Sequence, residues 1–336
     1  MSGEVVSYEY MAPLLRIARS LSLEEDIRLA VSEATSPEKL LSALRGSRLG
    51  SLLPPTARGS RDVERAAWSY YAEILVKLRE LGEIAPQVYA AYSMPLISRD
   101  LSIILGAAIE GEEPPREELS APSHPLVAQA VKIGIEEGSM GLSRLFTARG
   151  LSLLGSYLRQ VKPDKRIANM YLDLEVLRLF RDAYYLYRGE IGGEHLCYRL
   201  DLYAARASGN ALLLANPEAN KALERELETC LIDRDKLLEA VFEASLERLV
   251  PVLQTTPYIA GAASRMDLME LFCHMIRKYS RARIYRNIAY DPTSPGYSIP
   301  VLELLLLDVE DVVALSILSQ IGGPRELVAH TLSIQL

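Results

Sequence analysis

The fold is decided by residues 296–324, which read GYSIPVLELLLLDVEDVVALSILSQIGGP. The stretch starts next to a proline-containing turn, has an apolar body with one acidic group, and ends at paired glycines. An apolar run of this length is typical of a helix, because strands are usually much shorter. We therefore predict a long helix that glycine closes at Gly322.

Two earlier segments have the same layout. Asp100 lies in PLISRDLSIILGAAIEG, residues 95–111, and Asp173 lies in NMYLDLEVLRLFRDAYYLYRG, residues 169–189. In each segment the aspartate lies within a predicted helix of mostly apolar residues, and that helix ends at Gly111 or Gly189. A helical unit used three times indicates a mechanical part more than an enzyme built around a pocket.

Composition limits the class of protein. With 336 residues and 49% apolar residues, the chain is too long for one simple core and can bury a large amount of apolar surface. The net charge of −7 argues against a general nucleic-acid-binding role. The amino terminus has an early carboxylate and no basic, apolar signal segment, and no apolar run reaches roughly 18 residues. We expect a soluble intracellular protein.

The three cysteines, Cys197, Cys230 and Cys273, show no paired spacing. Disulfide-rich domains usually have an even number of closely spaced cysteines, so this pattern predicts a reducing compartment and no disulfide framework. We expect Cys197 and Cys273 to pack on helix faces.

The secondary structure is predicted to be helical throughout. Residues 64–81 place apolar side chains at steps of three and four, which is one face of a helix. Ser36-Pro37-Glu38 and Asn216-Pro217-Glu218 each place a capping side chain before a proline at the first helical position. Sustained period-two alternation is absent, so we predict an all-α fold.

Clusters of proline and glycine divide the chain into segments. These clusters lie at residues 51–60, 111–125, 207–220 and 290–300. The clearest boundary is 111–125, which has four prolines and solvated charges. We predict three helical units of similar length, at residues 1–115, 116–215 and 216–336.

Few residues suggest chemistry. His195 with Cys197, and Cys273 with His274, are the only neighbouring His and Cys pairs, and neither has zinc-ligand spacing. Ser152 lacks the G-x-S-x-G elbow, and the chain has no P-loop. We predict no catalytic, cofactor-binding or metal-binding residues.

Two charged groups have alternative interpretations. Asp308, Glu310 and Asp311 could act as paired carboxylates, but a solvated or partner-facing stripe is favoured. The basic run at residues 277–286 interleaves tyrosines with arginines, as sites for RNA or lipid head groups do. A solvated face, or a salt-bridge partner for another protein, is favoured there.

Four parts of the chain have motifs that occur together in one known family. They are an amino-terminal opening of tyrosines followed by arginines, the segments at 36–40 and 253–258, the helices that contain Asp100 and Asp173, and the closing helix from Pro300 to Glu310. The residues concerned are Tyr8, Tyr10, Arg16, Arg19, Ser36, Glu38, Leu40, Leu253, Thr256, Tyr258, Asp100, Asp173, Leu304, Asp308 and Glu310. These parts resemble the opening, the "s-x-e-x-L…L-x-x-t-x-Y" element, part of the "D-x-x-N-L-…-R" helix and the closing helix of the C subunit of the archaeal A-type and bacterial V/A-type ATP synthases, the counterpart of the d subunit of the vacuolar ATPase.

Some signature positions differ. The family asparagine is replaced by Ile103 and Val176, and the asparagine–leucine–arginine group of the closing helix is replaced by residues 314–316, Ala-Leu-Ser. The apolar pattern and the positions of the breaks are retained over essentially the whole chain.

The resemblance implies a non-catalytic rotor part. Three pseudo-repeated helical domains would form a funnel on the cytoplasmic face of the membrane, without a membrane span of its own, and contact neither nucleic acid nor cofactor. The partners would be the proteolipid ring subunits on one side and the D and F subunits of the central shaft on the other. In this interpretation the basic run contacts an acidic partner, so removing the charges of Arg281, Arg283 and Arg286 should weaken assembly without unfolding the protein.

Two other classes stay open. An all-α enzyme of the isoprenoid-synthase type would need aspartate-rich D-D-x-x-D sites, and this chain has none. A helical scaffold unrelated to rotary ATPases is the main alternative. Three units of about 110 residues are longer than the roughly 34- to 47-residue repeats of common helical solenoids, which favours the rotor part.

Overall fold

The chain is all-α in the computed structural model. The structure describes residues 18–33, 36–160, 162–259, 268–290, 296–322, 328 and 331–334. These residues form helices and connecting turns and contain no strand. The predicted all-α class is therefore confirmed for the described residues, while the three pseudo-repeated domains and the funnel stay a prediction.

Thirteen α-helices of the described ranges are named here in chain order. They are α1 (Glu24–Glu33), α2 (Pro37–Arg45), α3 (Ser60–Glu80), α4 (Pro86–Glu110), α5 (Pro125–Ala148), α6 (Ser152–Tyr157), α7 (Lys165–Tyr187), α8 (Ile191–Leu214), α9 (Pro217–Glu226), α10 (Arg234–Phe242), α11 (Leu246–Gln254), α12 (Leu268–Tyr290) and α13 (Ser298–Gln320). Short 3₁₀ helices occupy Arg48–Ser51, Arg116–Glu118 and Pro257–Ile259.

The helix boundaries follow the capping signals in the sequence. Ser36 and Asn216 each accept a hydrogen bond from a first-turn N–H, at 3.4 Å and 2.8 Å respectively. Gly111, Gly189 and Gly322 follow α4, α7 and α13 with φ of 75°, 90° and 65°. This conformation suits glycine, which has no Cβ to clash, so the predicted helix ends are confirmed.

One predicted break is misplaced. Residues 207–214, which the sequence assigned to a break, continue α8 as regular helix. Ala215, with a φ of 46°, is the residue between the end of this helix and the Asn216 cap. The cluster of proline, glycine and asparagine correctly indicated the cap at Asn216, but the apolar residues before it belong to the last turns of α8. The predicted loop at 290–300 falls partly on residues 291–295, which lie outside the described residues.

The described chain divides into two compact units. Unit 1 comprises the described residues of 1–89, 184–196 and 274–336, and unit 2 comprises those of 90–183 and 197–273. The boundaries between the units fall inside helices α4, α7, α8 and α12. The division into three consecutive segments stays a prediction.

The core of unit 1 is built around α13. This helix packs against α1, α2 and α3. This is the predicted long apolar helix, and its side chains are buried on almost every face, including the leucines of 304–307. On α3 the single tryptophan, Trp68, makes an edge contact with Tyr71, with ring centroids 6.0 Å apart. This packing makes Trp68 a reporter for unit 1.

The core of unit 2 is rich in aromatic pairs. Phe180 on α7 contacts Tyr92 edge-on and stacks on Tyr203 of α8, each with centroids 5.3 Å apart. Tyr157 stacks on Tyr171 at 4.6 Å. These contacts join α4, α6, α7 and α8 by geometries that aromatic rings favour.

The structure contains a disulfide, which the sequence analysis did not predict. Cys197 on α8 is bonded to Cys230 in the loop between α9 and α10, across a sequence separation of 33 residues. The expectation of no disulfide is therefore wrong, whereas Cys197 is buried on its helix as predicted. The long separation gives no local signal, because only tertiary structure brings the helix and the loop together. Cys273 is half-buried and takes no part in a disulfide.

Candidate functional site

A dense group of buried opposite charges lies inside unit 1, between α12 and α13. Arg277 and Arg281 are four residues apart on α12, and Asp308 and Asp311 are three apart on α13. Residues at these spacings share one face of a helix, so each helix presents a pair of like charges to the other.

The opposite charges form a closely packed network. Arg277 donates to Asp311 Oδ1 at 2.6 Å and to Glu310 Oε2 at 2.9 Å. Arg281 Nη2 donates to Asp308 Oδ1 at 2.7 Å and lies 3.4 Å from Asp311 Oδ2. The side chains of Asp308 and Asp311 are fully buried, and that of Arg281 is 6% exposed. In this setting each charge is stabilised by its partners and not by water.

The same network holds segments near both ends of the chain. Ser22 Oγ and the Leu23 N–H both donate to Asp308 Oδ2 at 2.7 Å. Ser333 donates to Asp311 through its N–H at 2.9 Å and its Oγ at 2.6 Å. Arg281 Nε in turn donates to Ser333 Oγ at 2.7 Å. One arginine and two aspartates therefore tie α12 and α13 to the segment before α1 and to residues 331–334.

At the outer edge of the network lies a cleft of about 340 Å³. It is lined by Arg19, Ser22, Glu24, Glu25, Arg28 and Tyr285. Tyr285 donates its hydroxyl to Glu24 Oε2 at 3.0 Å, and Arg281 Nη1 lies 3.7 Å from the same oxygen. Burial together with the Glu24 charge raises the pKa of Tyr285 to about 12, so this hydroxyl remains a donor at neutral pH.

Burial and partner charges act in opposite directions on the buried ionisable groups. Burial raises the pKa of Asp308, and the Arg281 guanidinium with the donors from Ser22 and Leu23 opposes that shift. For Arg281, burial alone would lower the pKa, but the charges of Asp308 and Asp311 raise it. The guanidinium therefore stays charged and supplies the counter-ion for both carboxylates.

These contacts correct two interpretations made from the sequence. The acidic stripe is not solvated, because Asp308 and Asp311 are buried and Glu310 is half-buried against Arg277. The basic run is not one exposed face either, since Arg277 and Arg281 are buried inside the same unit. Only its outer members, such as the exposed Arg286, face away. The pattern of one helix shows a charged stripe but not whether another helix carries its complement.

A second polar chain links α8 to α12 and α13. The ring nitrogens of His195 lie 3.1 Å from Ser280 Oγ and 3.1 Å from Asn287 Nδ2. Ser280 Oγ donates to Glu303 Oε1 at 3.2 Å. Because the amide nitrogen of Asn287 can only donate, His195 accepts there at Nε2 and donates from Nδ1 to Ser280. His195 is fully buried, and these hydrogen bonds contribute to the internal packing of unit 1.

A recurring contact went unrecognised in the sequence. Asp100 on α4 accepts the N–H groups of Ser120 and Ala121 at 2.8 Å and 2.7 Å. Asp201 on α8 accepts those of Cys230 and Leu231 at 2.6 Å and 2.8 Å. Asp308 and Asp311 on α13 do the same for Leu23 and Ser333, so buried aspartates on three long helices each hold the backbone of a distant segment.

The sequence pointed to Asp173 in place of Asp201. Asp173 instead accepts from the Asn210 side chain at 2.6 Å and lies 3.6 Å from Arg206. Both aspartates are followed by leucine in an apolar helix, so nothing local distinguishes them. What distinguishes Asp201 is the loop around Cys230, which approaches it only in the folded chain.

The remaining candidates stand apart from this network. Ser152 is exposed at the first position of the short helix α6. In the described part of the chain, no group of three or more His, Cys, Asp or Glu side chains is arranged to hold a metal ion.

No protein-family model matches the chain, and no curated protein shows significant similarity to it. Within the described ranges, none of the helices combines the length and apolar character needed to cross a membrane.

Proposed function

We propose that this protein is a non-catalytic central-stalk subunit of an A-type or V-type ATP synthase. In this role it joins the membrane ring of proteolipid subunits to the D and F subunits of the central shaft, and transmits torque during ion-coupled ATP synthesis. Three similar helical domains form a funnel on the cytoplasmic face of the membrane.

The observation that carries the proposal is the recurring aspartate contact. Each of the segments 1–115, 116–215 and 216–336 has one of these aspartates late in its sequence, at Asp100, Asp201 and Asp308. Asp100 and Asp201 each hold backbone of the next segment, and Asp308 holds backbone of the first segment. Asp311, also on α13, holds Ser333 of its own segment. In the proposed arrangement, these contacts between segments are the joints between neighbouring helical domains.

A second support comes from the motif residues of the resemblance. Tyr258, which ends the segment similar to the family's "L-x-x-t-x-Y" element, is buried and donates its hydroxyl to Asp201 Oδ2 at 2.8 Å. A tyrosine motif matched from the sequence therefore meets an aspartate-bearing helix at one hydrogen bond.

The mechanical demands of a rotor agree with the packing of unit 1. A part that transmits torque must resist shear between its helices, and close-packed interiors have low compressibility. The charge network adds directional contacts that a sliding helix would break, and it fastens Ser22 and Ser333 to the same two helices.

The test is recovery of the tagged protein from membranes of its own host after mild detergent extraction, with partners identified by mass spectrometry. The proposal expects the proteolipid ring and the shaft subunits to co-purify. Arg286→Glu reverses an exposed charge of the basic run, and Arg166→Glu makes the same change on an exposed residue of α7. If the basic run contacts an acidic partner, the first variant loses partners and the second keeps them.

Recovery of the protein alone would contradict the proposal and favour a helical scaffold unrelated to rotary ATPases. Equal recovery of partners by both variants would leave the rotor function in place and remove the basic run from the interface. The two results are therefore distinguishable.

A further inference from the structure

The loop between α9 and α10, residues 227–233, is held to α8 by two adjacent devices. Cys197 and Asp201 are four residues apart and share a face of α8. Cys197 forms the disulfide with Cys230, and Asp201 accepts the N–H groups of Cys230 and Leu231. One link is covalent and the other is a set of hydrogen bonds to a carboxylate.

The hydrogen-bonded link does not need the sulfur atoms. Asp201 also accepts the Tyr258 hydroxyl at 2.8 Å, and Arg234 donates to the Leu227 carbonyl oxygen at 2.8 Å. Thr229 Oγ1 donates to the Ile232 carbonyl oxygen at 2.7 Å within the loop. The backbone of the loop is therefore positioned by contacts that remain when the disulfide is open.

The sites of Asp100 and Asp308 hold their backbone partners without a disulfide. Four residues before Asp100 and Asp308 the chain has Leu96 and Leu304, and both are buried. At those sites an apolar side chain fills the position of Cys197, and the aspartate still holds its backbone partner. A reduced Cys197 behaves as a small apolar side chain, so the same arrangement can accommodate it.

We propose that the Cys197–Cys230 disulfide is a redox modification site, opened by a dithiol and re-formed by exchange with the disulfide form of that dithiol, while the protein stays folded. Reduction frees the loop 227–233 from its covalent tether and leaves it on Asp201, so the redox state sets the mobility of this loop. The inference stands on unit 2 alone and does not depend on the rotor function.

The exposure of the two cysteine residues sets the order of the reaction. Cys230 is half-buried and its neighbour Leu231 is 43% exposed, whereas Cys197 is 6% exposed. A thiolate of the dithiol attacks Cys230 Sγ, the S–S bond breaks, and Cys197 leaves as a thiolate that takes up a proton. The second thiol of the reductant then attacks its own sulfur in the mixed disulfide and releases Cys230. The dithiol ends as a disulfide, and two electrons and two protons have passed to the protein.

The experiment uses the full-length protein with dithiothreitol as the probe dithiol, under native conditions. Alkylation followed by mass spectrometry identifies which cysteines are reduced, circular dichroism reports helix content, and hydrogen exchange reports loop mobility. We expect only Cys273 to be alkylated before reduction and all three cysteines afterwards, with helix content unchanged. Amide exchange at residues 230–232 should rise by about tenfold, while the Asp100-bound residues 120–121 should not change.

Two variants serve as controls. Cys197→Ser/Cys230→Ser should reproduce the reduced protein without reductant, and Cys273→Ser should behave like the unmodified chain. The proposal is overturned if Cys197 and Cys230 resist dithiothreitol in the folded protein, because the bond is then only a structural one. It is equally overturned if reduction or the double variant removes the helical signal, or if both cysteines are alkylated before any reductant is added.

Discussion

Replacing Arg281 by glutamine tests whether the buried charge network stabilises unit 1. The substitution removes the counter-ion of Asp308 and the donor to Ser333, and leaves Asp308 fully buried with two remaining donors, Ser22 and Leu23. Removing one partner of a buried ion pair costs about 3–5 kcal/mol. Because Asp308 keeps two hydrogen bonds, we expect a loss of about 3 kcal/mol in the free energy of unfolding of unit 1.

Arg286→Gln is the matched control. Arg286 is on the same helix and is exposed, and an exposed substitution away from special features changes stability by about 0.5 kcal/mol or less. The sequence interpretation predicted that the arginines of this run could be neutralised without unfolding the protein. The structure restricts that expectation to the exposed members.

The assay is urea unfolding followed by the fluorescence of Trp68, the single tryptophan, which lies in unit 1. With an m-value of about 3 kcal/mol/M, the midpoint for Arg281→Gln should fall by about 1 M relative to Arg286→Gln. The double variant Arg281→Gln/Asp308→Asn should recover part of the loss, because it no longer buries an unpaired charge. A midpoint for Arg281→Gln within about 0.2 M of the control would refute the reasoning.

Three further predictions concern single side chains. Burial, with the charges of Arg277 and Lys278, lowers the pKa of His274 from 6.5 to about 4. Between these two pH values, the imidazole is protonated in the unfolded chain but not in the folded chain, so acid favours unfolding. Stability should therefore decrease by up to about 2–3 kcal/mol between pH 6.5 and 4, and His274→Asn should remove that decrease in unfolding curves measured across the range. A Cβ at Gly192 would lie 2.5 Å from a carbonyl oxygen, whereas one at Gly106 would meet nothing within 4 Å. Gly192→Ala should lower the melting temperature, and Gly106→Ala, inside a helix, should stabilise by about 0.5–1 kcal/mol; equal effects would show that the close approach at Gly192 does not require glycine. Tyr258→Phe loses a hydrogen bond to a buried carboxylate and should cost about 1.5–3 kcal/mol in urea unfolding, a loss that an unchanged midpoint would disprove.

Local features of the fold could be predicted from the sequence because short-range chemistry determines them. The Ser36 and Asn216 caps and the glycine at 322 act within one helical turn, and each is found where the pattern placed it. The long apolar body of α13 was likewise visible, since burial of nearly every face needs apolar residues at nearly every position.

The site could not be predicted because it depends on partners distant in sequence. Whether Arg281 is solvated or buried depends on Asp308 and Ser333, and a helical pattern around residue 281 contains neither. The disulfide and the Asp201 contact have the same cause, because both require the loop at 230 to reach α8. Residue type predicted the kinds of interaction, while tertiary structure decided which residues make them.

The charges between α12 and α13 determine how the apolar helix α13 is oriented against α12. Because α13 is buried on almost every side, burial alone does not decide which face meets α12. Glu303 contacts Ser280, while Asp308 and Asp311 contact Arg281 and Arg277, so the polar contacts fix both the face of α13 and its position along α12. Buried ion pairs often add little stability over apolar replacements, but they can specify one packing register. We therefore expect Arg281→Met/Asp308→Leu to be more stable than Arg281→Gln, because it buries no unpaired charge. The same variant should show broadened methyl resonances in unit 1, because its helices can adopt alternative packings. Sharp, single resonances in that variant would show that the apolar surfaces alone specify the register.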